Sequence, residues 1–303
     1  MDLRESPFAP TSDSTGNYPA PTAPRTQDRI GVEVGAKTDR GKVRKNNEDH
    51  FLVARLAKSM FVCKTSLPGD AGTHLSEELG YMMVVADGMG GAAAGEHASA
   101  LAVQSVEQFV LNTLKRFLHL GGPEQHALYT ELREGLERAD RAIIERARRD
   151  PALHGMGTTL TMAYSIGSDL FIVHAGDSRA YLYRDGSLQQ LTKDHTLVQL
   201  LVTGGALKPE DAKKHHSRNV VTNVLGGPEA GVLAEIRKVT LADRDQFLIC
   251  SDGLTEVVED DAVAAILREA ESADVACDRL VARAIERGGP DNITVVVARY
   301  RFE

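Results

Sequence analysis

Three aspartates that border apolar runs are the residues of this chain best suited to chemistry. Asp87 and Asp252 each follow a strand-like apolar run, and Asp291 precedes one. Strands buried on both faces hold carboxylates mainly at their ends. If the three ends meet, each pair of charges at 4 Å repels by roughly 4 kcal/mol at an effective dielectric of about 20. Oxygen-only sites suit Mg²⁺ or Mn²⁺, so the pattern predicts a divalent metal site.

Asp-Gly alone is a weak signal, because the pair also forms tight turns. Asp185-Gly186 lies between two short β-rich runs and predicts a hairpin turn. Asp87-Gly88 differs, since three glycines fall within the stretch 88–91 and let the backbone approach a ligand closely. The Gly88 carbonyl is then able to face the same cation as the Asp87 carboxylate.

Further acids and one arginine extend the candidate site. Asp177 borders another strand-like run, and the turn 46–49 contains Glu48 and Asp49. Arg44 is the basic candidate, because a guanidinium matches a phosphate with two parallel hydrogen bonds. Metals and an arginine in one pocket favour phosphate chemistry. No Gly-x-Ser-x-Gly, Walker or His-Glu-x-x-His motif offers a rival reaction.

The elements that must position these residues are short β-rich runs and pairs of helices. Apolar periodicity and capping residues predict helices over about 94–119, 123–150, 259–269 and 273–287. The strand-like runs form two clusters without strict β-α alternation. We therefore expect an α+β fold in which two antiparallel sheets form a central sandwich, flanked by pairs of α-helices.

The strand prediction covers most of the remaining chain. Strands are expected over 31–38, 50–54, 81–86, 158–166, 170–175, 180–183, 188–191, 219–225, 232–240, 246–250 and 292–300, with the runs from 157 to 191 forming a meander. Polar residues and a Pro-Gly turn predict a surface loop over 56–80.

Between the meander and the later strands, the sequence predicts a short helix and a polar flap. Asp194 is the expected N-cap of a helix that ends near 202. Residues 204–216 are polar and irregular, as in a mobile flap, and carry the exposed pair His215-His216. We expect His174 to be a satisfied core residue and His195 to make a structural hydrogen bond.

Composition sets the broad class of the protein. The chain has 303 residues, 42% of them hydrophobic and 26% charged, as in a soluble globular protein. Its net charge of −8 argues against nucleic-acid binding, and no apolar run approaches the ~20 residues of a membrane span. Three cysteines without a Cys-x-x-Cys motif indicate reduced thiols and a cytoplasmic protein.

The ends of the chain differ in composition. Residues 1–28 are rich in Pro, Ser and Thr, without periodicity, and predict a flexible leader. Residues 29–303 show no second linker and predict one domain. We expect this domain to be a monomer.

Taken together, the motifs resemble the PP2C-type metal-dependent protein serine/threonine phosphatases in their bacterial form. They occur in the family order over about residues 30–300. The matching stretches are 38–49, 85–96, 157–159, 175–180, 192–195, 218–222, 248–254 and 289–295.

The resemblance implies a two-metal centre at one end of the sandwich. By position, Asp87 bridges two Mg²⁺ or Mn²⁺ ions, and Asp252 and Asp291 complete the first ion. The Gly88 carbonyl serves the second ion.

The resemblance also implies the surroundings of the two ions. Glu48 and Asp49 hold waters on the second ion, and Asp177 together with Asp252 holds a third, weaker ion. Arg44 grips the substrate phosphate, and residues 204–221 form the flap beside the pocket.

The implied activity is hydrolysis of phosphoserine and phosphothreonine in proteins, by attack of a water or hydroxide that bridges the two metals. Phosphoproteins are the implied substrates, and a serine/threonine kinase and the targets of that kinase are the implied partners. Met89 stands where many relatives have a histidine proposed as general acid, so we expect a metal-bound water to supply the proton. Two alternatives stay open: a catalytically inactive phosphoprotein-binding relative, and a hydrolase of small phosphoesters.

Overall fold

The computed structural model describes residues 30–61, 73–90, 94–117, 124–227 and 231–302. The helices are α1 (Ala94–Phe117), α2 (Glu124–Arg149), α3 (Leu197–Thr203), α4 (Pro209–Ala212), α5 (Asp252–Thr255), α6 (Asp260–Glu269) and α7 (Ala273–Glu286). The strands are β1 (Ile30–Asp39), β2 (Asp49–Phe61), β3 (Thr73–Met89), β4 (Gly157–Thr158), β5 (Leu160–Ile166), β6 (Asp169–Ala175), β7 (Arg179–Arg184), β8 (Ser187–Gln190), β9 (Leu225–Gly226), β10 (Glu235–Thr240), β11 (Gln246–Cys250) and β12 (Ile293–Phe302).

The strands form two antiparallel sheets, as predicted. Sheet A has the order β1-β12-β11-β7-β8. Sheet B has the order β10-β6-β5-β3, with β2 on the other side of β3. Directly before β5, the short strand β4 pairs with the last residues of β3 and with β9.

Alternation along the strands builds three apolar layers. Val84 of β3 packs toward α1 and α2, whereas the next residue, Val85, lies between the two sheets. In β12, Val297 packs toward α6 and α7, and Val296 lies between the sheets. Because successive side chains of a strand point to opposite faces, each sheet contacts helices on one face and the other sheet on the opposite face.

This packing brings several strand ends to one end of the sandwich. The start of β2 pairs with the end of β3, so that Asp49 lies opposite Asp87. In sheet A, the end of β11 pairs with the start of β12 through Cys250 and Val295. The strand borders that carry the predicted site residues therefore face a common region.

The predicted helices agree with the structure apart from their ends, and Ser272 caps α7 by accepting from the Val275 amide. The Asp185-Gly186 turn joins β7 to β8, and both residues have positive φ, at 51° and 84°. This geometry is typical of the tight hairpin turn predicted there.

The predicted surface loop over 56–80 is wrong in large part. Strand β2 extends to Phe61 and strand β3 begins at Thr73, and these two residues pair with each other. A register shift between Ala57 and Ser59 interrupts this long hairpin. Residues 62–72 lie outside the described residues.

The predicted meander and the predicted helix start also need correction. Strands β5 and β6 belong to sheet B, but β7 and β8 belong to sheet A, so the chain crosses between sheets at residues 176–178. Helix α3 begins after Thr196, whose side chain accepts from the Gln199 amide. Asp194 is not the cap, because its carboxylate pairs with Arg179 instead.

The remaining differences are smaller. Instead of the strand predicted over 219–225, Val221 forms an isolated bridge with Thr196, and β9 begins only at Leu225. The thiols of Cys250 and Cys277 are free and buried, and Cys63 and the leader 1–28 lie outside the described residues. Among the described helices, none has the length and apolar character needed to cross a membrane.

Candidate metal centre

A cavity of about 510 Å³ lies at the end of the sandwich where the strand borders meet. Seven of the eight predicted site residues line it: Arg44, Glu48, Asp87, Gly88, Asp177, Asp252 and Asp291. The eighth, Asp49, is buried with 4% of its surface exposed. Residues far apart in sequence therefore share one cavity whose wall is rich in carboxylates.

Asp87 and Gly88 are held by backbone contacts on both sides of β3. The Asp87 amide donates to Thr159 Oγ1 at 3.0 Å, and the Asp87 carbonyl accepts from the Thr159 amide at 2.9 Å. The Gly88 amide donates to the Glu48 carbonyl at 3.2 Å. A Cβ at Gly88 would lie 2.1 Å from the Gly95 carbonyl oxygen, so only glycine allows α1 to approach the strand this closely.

Asp49 and Asp252 are packed around Ser251. Ser251 Oγ donates to Asp49 Oδ2 at 2.7 Å and accepts from the Thr294 amide at 2.9 Å. The other oxygen of Asp49, Oδ1, and Asp252 Oδ1 are buried and have no hydrogen-bond partner. Buried polar atoms without a partner cost about 1–3 kcal/mol each, and more when charged, so these two oxygens are suited to accept a cation or an ordered water.

Asp291 is paired with Arg44. Arg44 Nη2 donates to Asp291 Oδ2 at 2.6 Å, and the Asn292 amide donates to Asp291 Oδ1 at 2.8 Å. The Asn292 side chain accepts from the Glu48 amide and donates to the carbonyls of Arg40 and Asn46. Asn292 therefore fixes the loop between β1 and β2, which carries Arg44, against the start of β12.

Asp177 lies in the crossover from sheet B to sheet A. Arg179, two residues later, makes a bidentate ion pair with Asp194, in which Nε donates to Oδ1 and Nη2 donates to Oδ2. The Gly176 amide donates to His195 Nδ1 at 3.1 Å, and the His195 amide donates back to the Gly176 carbonyl at 2.8 Å. The crossover is thus tied to the segment that leads into the flap.

Burial and mutual repulsion disfavour the charged form of these acids. Burial, followed by the charges of neighbouring aspartates, raises the pKa of Asp87 and the pKa of Asp252 well above the usual range. Burial raises the pKa of Asp49 to about 6, and burial together with the charge of Asp194 raises the pKa of Asp177 to about 6. Burial also raises the pKa of Glu48. Such a cluster is stabilised by a cation.

The donor set fits hard divalent cations. The cavity offers carboxylates and the Gly88 carbonyl, which are the oxygen ligands that Mg²⁺ and Mn²⁺ prefer. In the part of the chain that the structure describes, no three acidic, histidine or cysteine side chains surround a common point as a metal would require. In this arrangement Asp291 Oδ2 contacts Arg44.

Several residues of the site were missed in the sequence analysis. Thr159, Ser251 and Asn292 hold the acids through long-range hydrogen bonds. Asn219 and Val221, at the end of the flap, line the cavity. A serine directly before Asp252 and an asparagine directly after Asp291 are visible in the sequence, but their partners are more than 200 residues away.

Similarity to known proteins shows the family of the chain. The model of the family described as Protein phosphatase 2C matches residues 67–282, and the chain belongs to this family. Arg44 and Asp291 lie outside the matched range.

Two curated relatives and one solved structure illustrate the similarity. The chain is 39% identical over 268 residues to the serine/threonine protein phosphatase PstP of Mycobacterium tuberculosis, covering 88% of this chain and 45% of PstP. It is 34% identical over 261 residues to the serine/threonine phosphatase stp of Listeria welshimeri, covering 86% of this chain and 93% of that protein. The solved catalytic domain of PstP in complex with two manganese ions has a TM-score of 0.69 and 34% identity, covering 90% of this chain and 99% of that one.

The chain thus spans less than half the length of PstP but nearly the full length of its solved catalytic domain. The shared fold agrees with the sandwich of two sheets between helices.

Proposed function

We propose that the protein is a metal-dependent protein serine/threonine phosphatase that hydrolyses phosphoserine and phosphothreonine in phosphoproteins. The single observation that carries the proposal is the cavity in which Asp87, Asp177, Asp252 and Asp291 meet Arg44. The names of the family and of its relatives support the same activity.

In this proposal the acids hold two Mg²⁺ or Mn²⁺ ions, and a third in a weaker site. The residues that hold them are Asp87, Gly88 through its carbonyl, Asp252, Asp291 and Asp177, with Glu48 and Asp49 behind them. When bound, such cations lower the pKa of water and neutralise charge on phosphoryl oxygens. The unpartnered oxygens of Asp49 and Asp252 and the bound manganese ions of the PstP catalytic domain support this assignment.

Arg44 binds the substrate phosphate. Its guanidinium is on the cavity wall, 53% of its side chain is exposed, and its ion pair with Asp291 is on the solvent side. Arg44 therefore has two alternative partners, the Asp291 carboxylate and a phosphate. A phosphate accepts the guanidinium fork bidentately, whereas Asp291 accepts from Arg44 Nη2 through one oxygen, Oδ2.

Met89 and the residues that hold the acids shape the site. Met89 lies on the cavity wall, and its thioether carries no proton for the leaving group. Thr159, Ser251 and Asn292 keep the acids oriented by hydrogen bonds, so the metal ligands need little reorganisation.

The proposed partners of the protein are a serine/threonine kinase and the targets of that kinase. That the protein is a monomer stays a prediction.

The proposal is tested by metal-dependent phosphate release from the full chain. We expect turnover of a phosphothreonine peptide with Mn²⁺ and none in EDTA, measured beside a small aryl phosphate and a sugar phosphate. Binding of the peptide without turnover would favour an inactive phosphoprotein-binding protein. Turnover of the small phosphates alone would favour a hydrolase of small phosphoesters.

A further inference from the structure

The mouth of the acidic cavity is bordered by a basic loop. Residues 40–45, here called the basic loop, contain four basic side chains and no acidic one. Arg40 and residues 42–45 are exposed, although the chain as a whole carries a net charge of −8. The positive charge at this position is therefore local and does not follow from the overall composition.

The basic loop is held in place by backbone contacts. The Lys42 amide donates to the Gly289 carbonyl at 2.8 Å, and Arg40 Nη1 donates to the Lys45 carbonyl at 3.3 Å. Asn292 Nδ2 donates to the Arg40 carbonyl at 2.9 Å. Because these bonds fix the backbone, the side chains of the loop are presented to solvent from a defined position.

Lys45 is the basic side chain of this loop that lines the cavity beside Arg44. Among the described residues, neither Lys42 nor Lys45 makes an ion pair with a carboxylate. Arg44, by contrast, is paired with Asp291. Lys45 is thus a cation at the mouth whose charge is not neutralised by the part of the fold that the structure describes.

A second segment beside the cavity is also basic. Arg218 is exposed and directly precedes Asn219, which lines the cavity. A turn holds this segment, because the Arg218 amide donates to the His215 carbonyl at 3.1 Å. Within the described residues Arg218 has no carboxylate partner, whereas Lys213 of the same flap pairs with Glu259 at 2.6 Å.

We propose that the preferred substrates carry acidic residues beside the phosphorylated residue, and that Lys45 and Arg218, each next to the cavity, contact those acids. This proposal rests on the proposed phosphatase function. The floor acids are used to hold the divalent cations, so the unpaired basic side chains at the rim are the groups available to attract an acidic peptide. Rim charges act mainly on association rate and specificity, and their effect falls with ionic strength.

The test measures phosphate release by the full chain in the presence of Mn²⁺. The substrates are two matched phosphothreonine peptides, one with acidic and one with neutral flanking residues, and a small aryl phosphate. We expect the acidic peptide to have a kcat/KM about tenfold higher at low ionic strength, with the preference shrinking as salt is added. The double variant Lys45→Gln/Arg218→Gln should lose most of the preference. The matched control Lys213→Gln should retain it, because that lysine is already paired with Glu259.

The outcomes separate this proposal from the proposed function. Equal kcat/KM for the two peptides would overturn the acidic preference and leave the phosphatase intact. An equal loss on both peptides in the double variant would place these cations on the phosphate itself and also overturn it. No turnover of any substrate, including the aryl phosphate, would overturn both.

Discussion

At the scale of single residues, the site combines buried carboxylate oxygens that lack partners with one arginine that has two possible partners. Asp252 illustrates the first feature, because its Oδ1 is buried and unpartnered and its pKa is raised well above the usual range by burial and by Asp177. Such a residue destabilises the metal-free fold when charged. This cost is consistent with the proposed role of Asp252 in holding a cation.

Asp252→Asn is therefore expected to separate activity from folding. It should lower Mn²⁺-dependent phosphate release by more than about a hundredfold. Mutation of a residue that only supports a metal ligand costs at most about a hundredfold in metal affinity or activity, so a larger loss indicates a direct ligand. The unfolding temperature in EDTA should stay the same or rise, since a buried charge is removed. Asp185→Asn is the matched control, because Asp185 lies in a hairpin turn and asparagine tolerates positive φ. Near-normal turnover of Asp252→Asn would refute the assignment.

Arg44→Ala is expected to act on substrate binding. Hydrogen bonds to charged groups contribute about 1.5–3 kcal/mol, so KM for a phosphopeptide should rise by about ten- to a hundredfold. The exposed pair with Asp291 contributes under about 1 kcal/mol, so the unfolding temperature should change little. Steady-state kinetics measure this KM. The variant Arg44→Lys keeps the positive charge but not the guanidinium fork, so its KM should lie between those of the wild type and Arg44→Ala. An unchanged KM would remove the phosphate-binding role.

The sequence predicted these residues because each acid borders an apolar run and carries a recognisable turn. It did not predict how they are held. Ser251 donates to Asp49 across 202 residues of sequence, and Arg44 contacts Asp291 across 247. No local pattern encodes such pairs, which arise only when the two sheets pack together.

At the scale of elements, His195 connects the β6–β7 crossover to the end of the flap. Its Nδ1 accepts from the Gly176 amide, and Asn223 Nδ2 lies 3.1 Å from the same atom. The Asn223 amide group is oriented by bonds to both the amide and the carbonyl of Leu233. With Nδ1 as acceptor, the ring carries its proton on Nε2, which faces Glu235 at 3.4 Å.

His195→Leu is expected to loosen both segments. It removes the acceptor of the Gly176 amide, and a buried donor left unpaired costs about 1–3 kcal/mol. Hydrogen exchange should become faster at the amide of Gly176 and at the amide of Thr222, which donates to the His195 carbonyl at 2.7 Å, and kcat/KM for phosphopeptides should fall. His195→Asn, whose Oδ1 can replace Nδ1, should restore much of the exchange protection. Equal exchange in the wild type and the leucine variant would contradict this role.

Regular elements were predictable where apolar periodicity is strong, as in α1, α2, α6 and α7. The β2–β3 hairpin beyond Leu56 was not, because its pairing depends on a partner strand and includes a register shift. The helix start at Thr196 was missed for a related reason. Asp194 has the chemistry of an N-cap, but Arg179 of another strand binds its carboxylate.

At the scale of the whole molecule, the two sheets contribute acids to one cavity. Asp49 and Asp87 belong to sheet B, whereas Asp252 and Asp291 flank strands of sheet A. The negative charges of these carboxylates repel one another and so oppose the approach of the two sheets at this end. Bound cations would offset this repulsion and link the two sheets. Any ligand that binds the folded state alone stabilises it, so metal binding and global stability are expected to be linked.

This linkage gives a pH dependence whose sign can be derived. The pKa values of Asp49 and Asp177 are raised to about 6, above the unfolded value of about 3.9. Between these values the folded state binds more protons than the unfolded state, so stability falls as pH rises. The destabilisation is absent below about pH 4 and complete above about pH 6, and each tenfold change in proton affinity corresponds to about 1.4 kcal/mol. Burial lowers the pKa of His174 to about 4, which acts in the opposite direction.

The contribution of His174 to stability is common to the metal-free and the Mn²⁺-loaded protein. The difference between their unfolding temperatures therefore reports the contribution of the carboxylates. We expect Mn²⁺ to raise the unfolding temperature more at pH 7 than at pH 5, since protons relieve the same repulsion that the cation relieves and compete with it for the carboxylates. Thermal unfolding in EDTA and in Mn²⁺ at both pH values measures this. Asp177→Asn should reduce the pH dependence, because it removes one of the groups whose pKa is raised. A stabilisation by Mn²⁺ that is equal at both pH values would show that these carboxylates do not hold the ion.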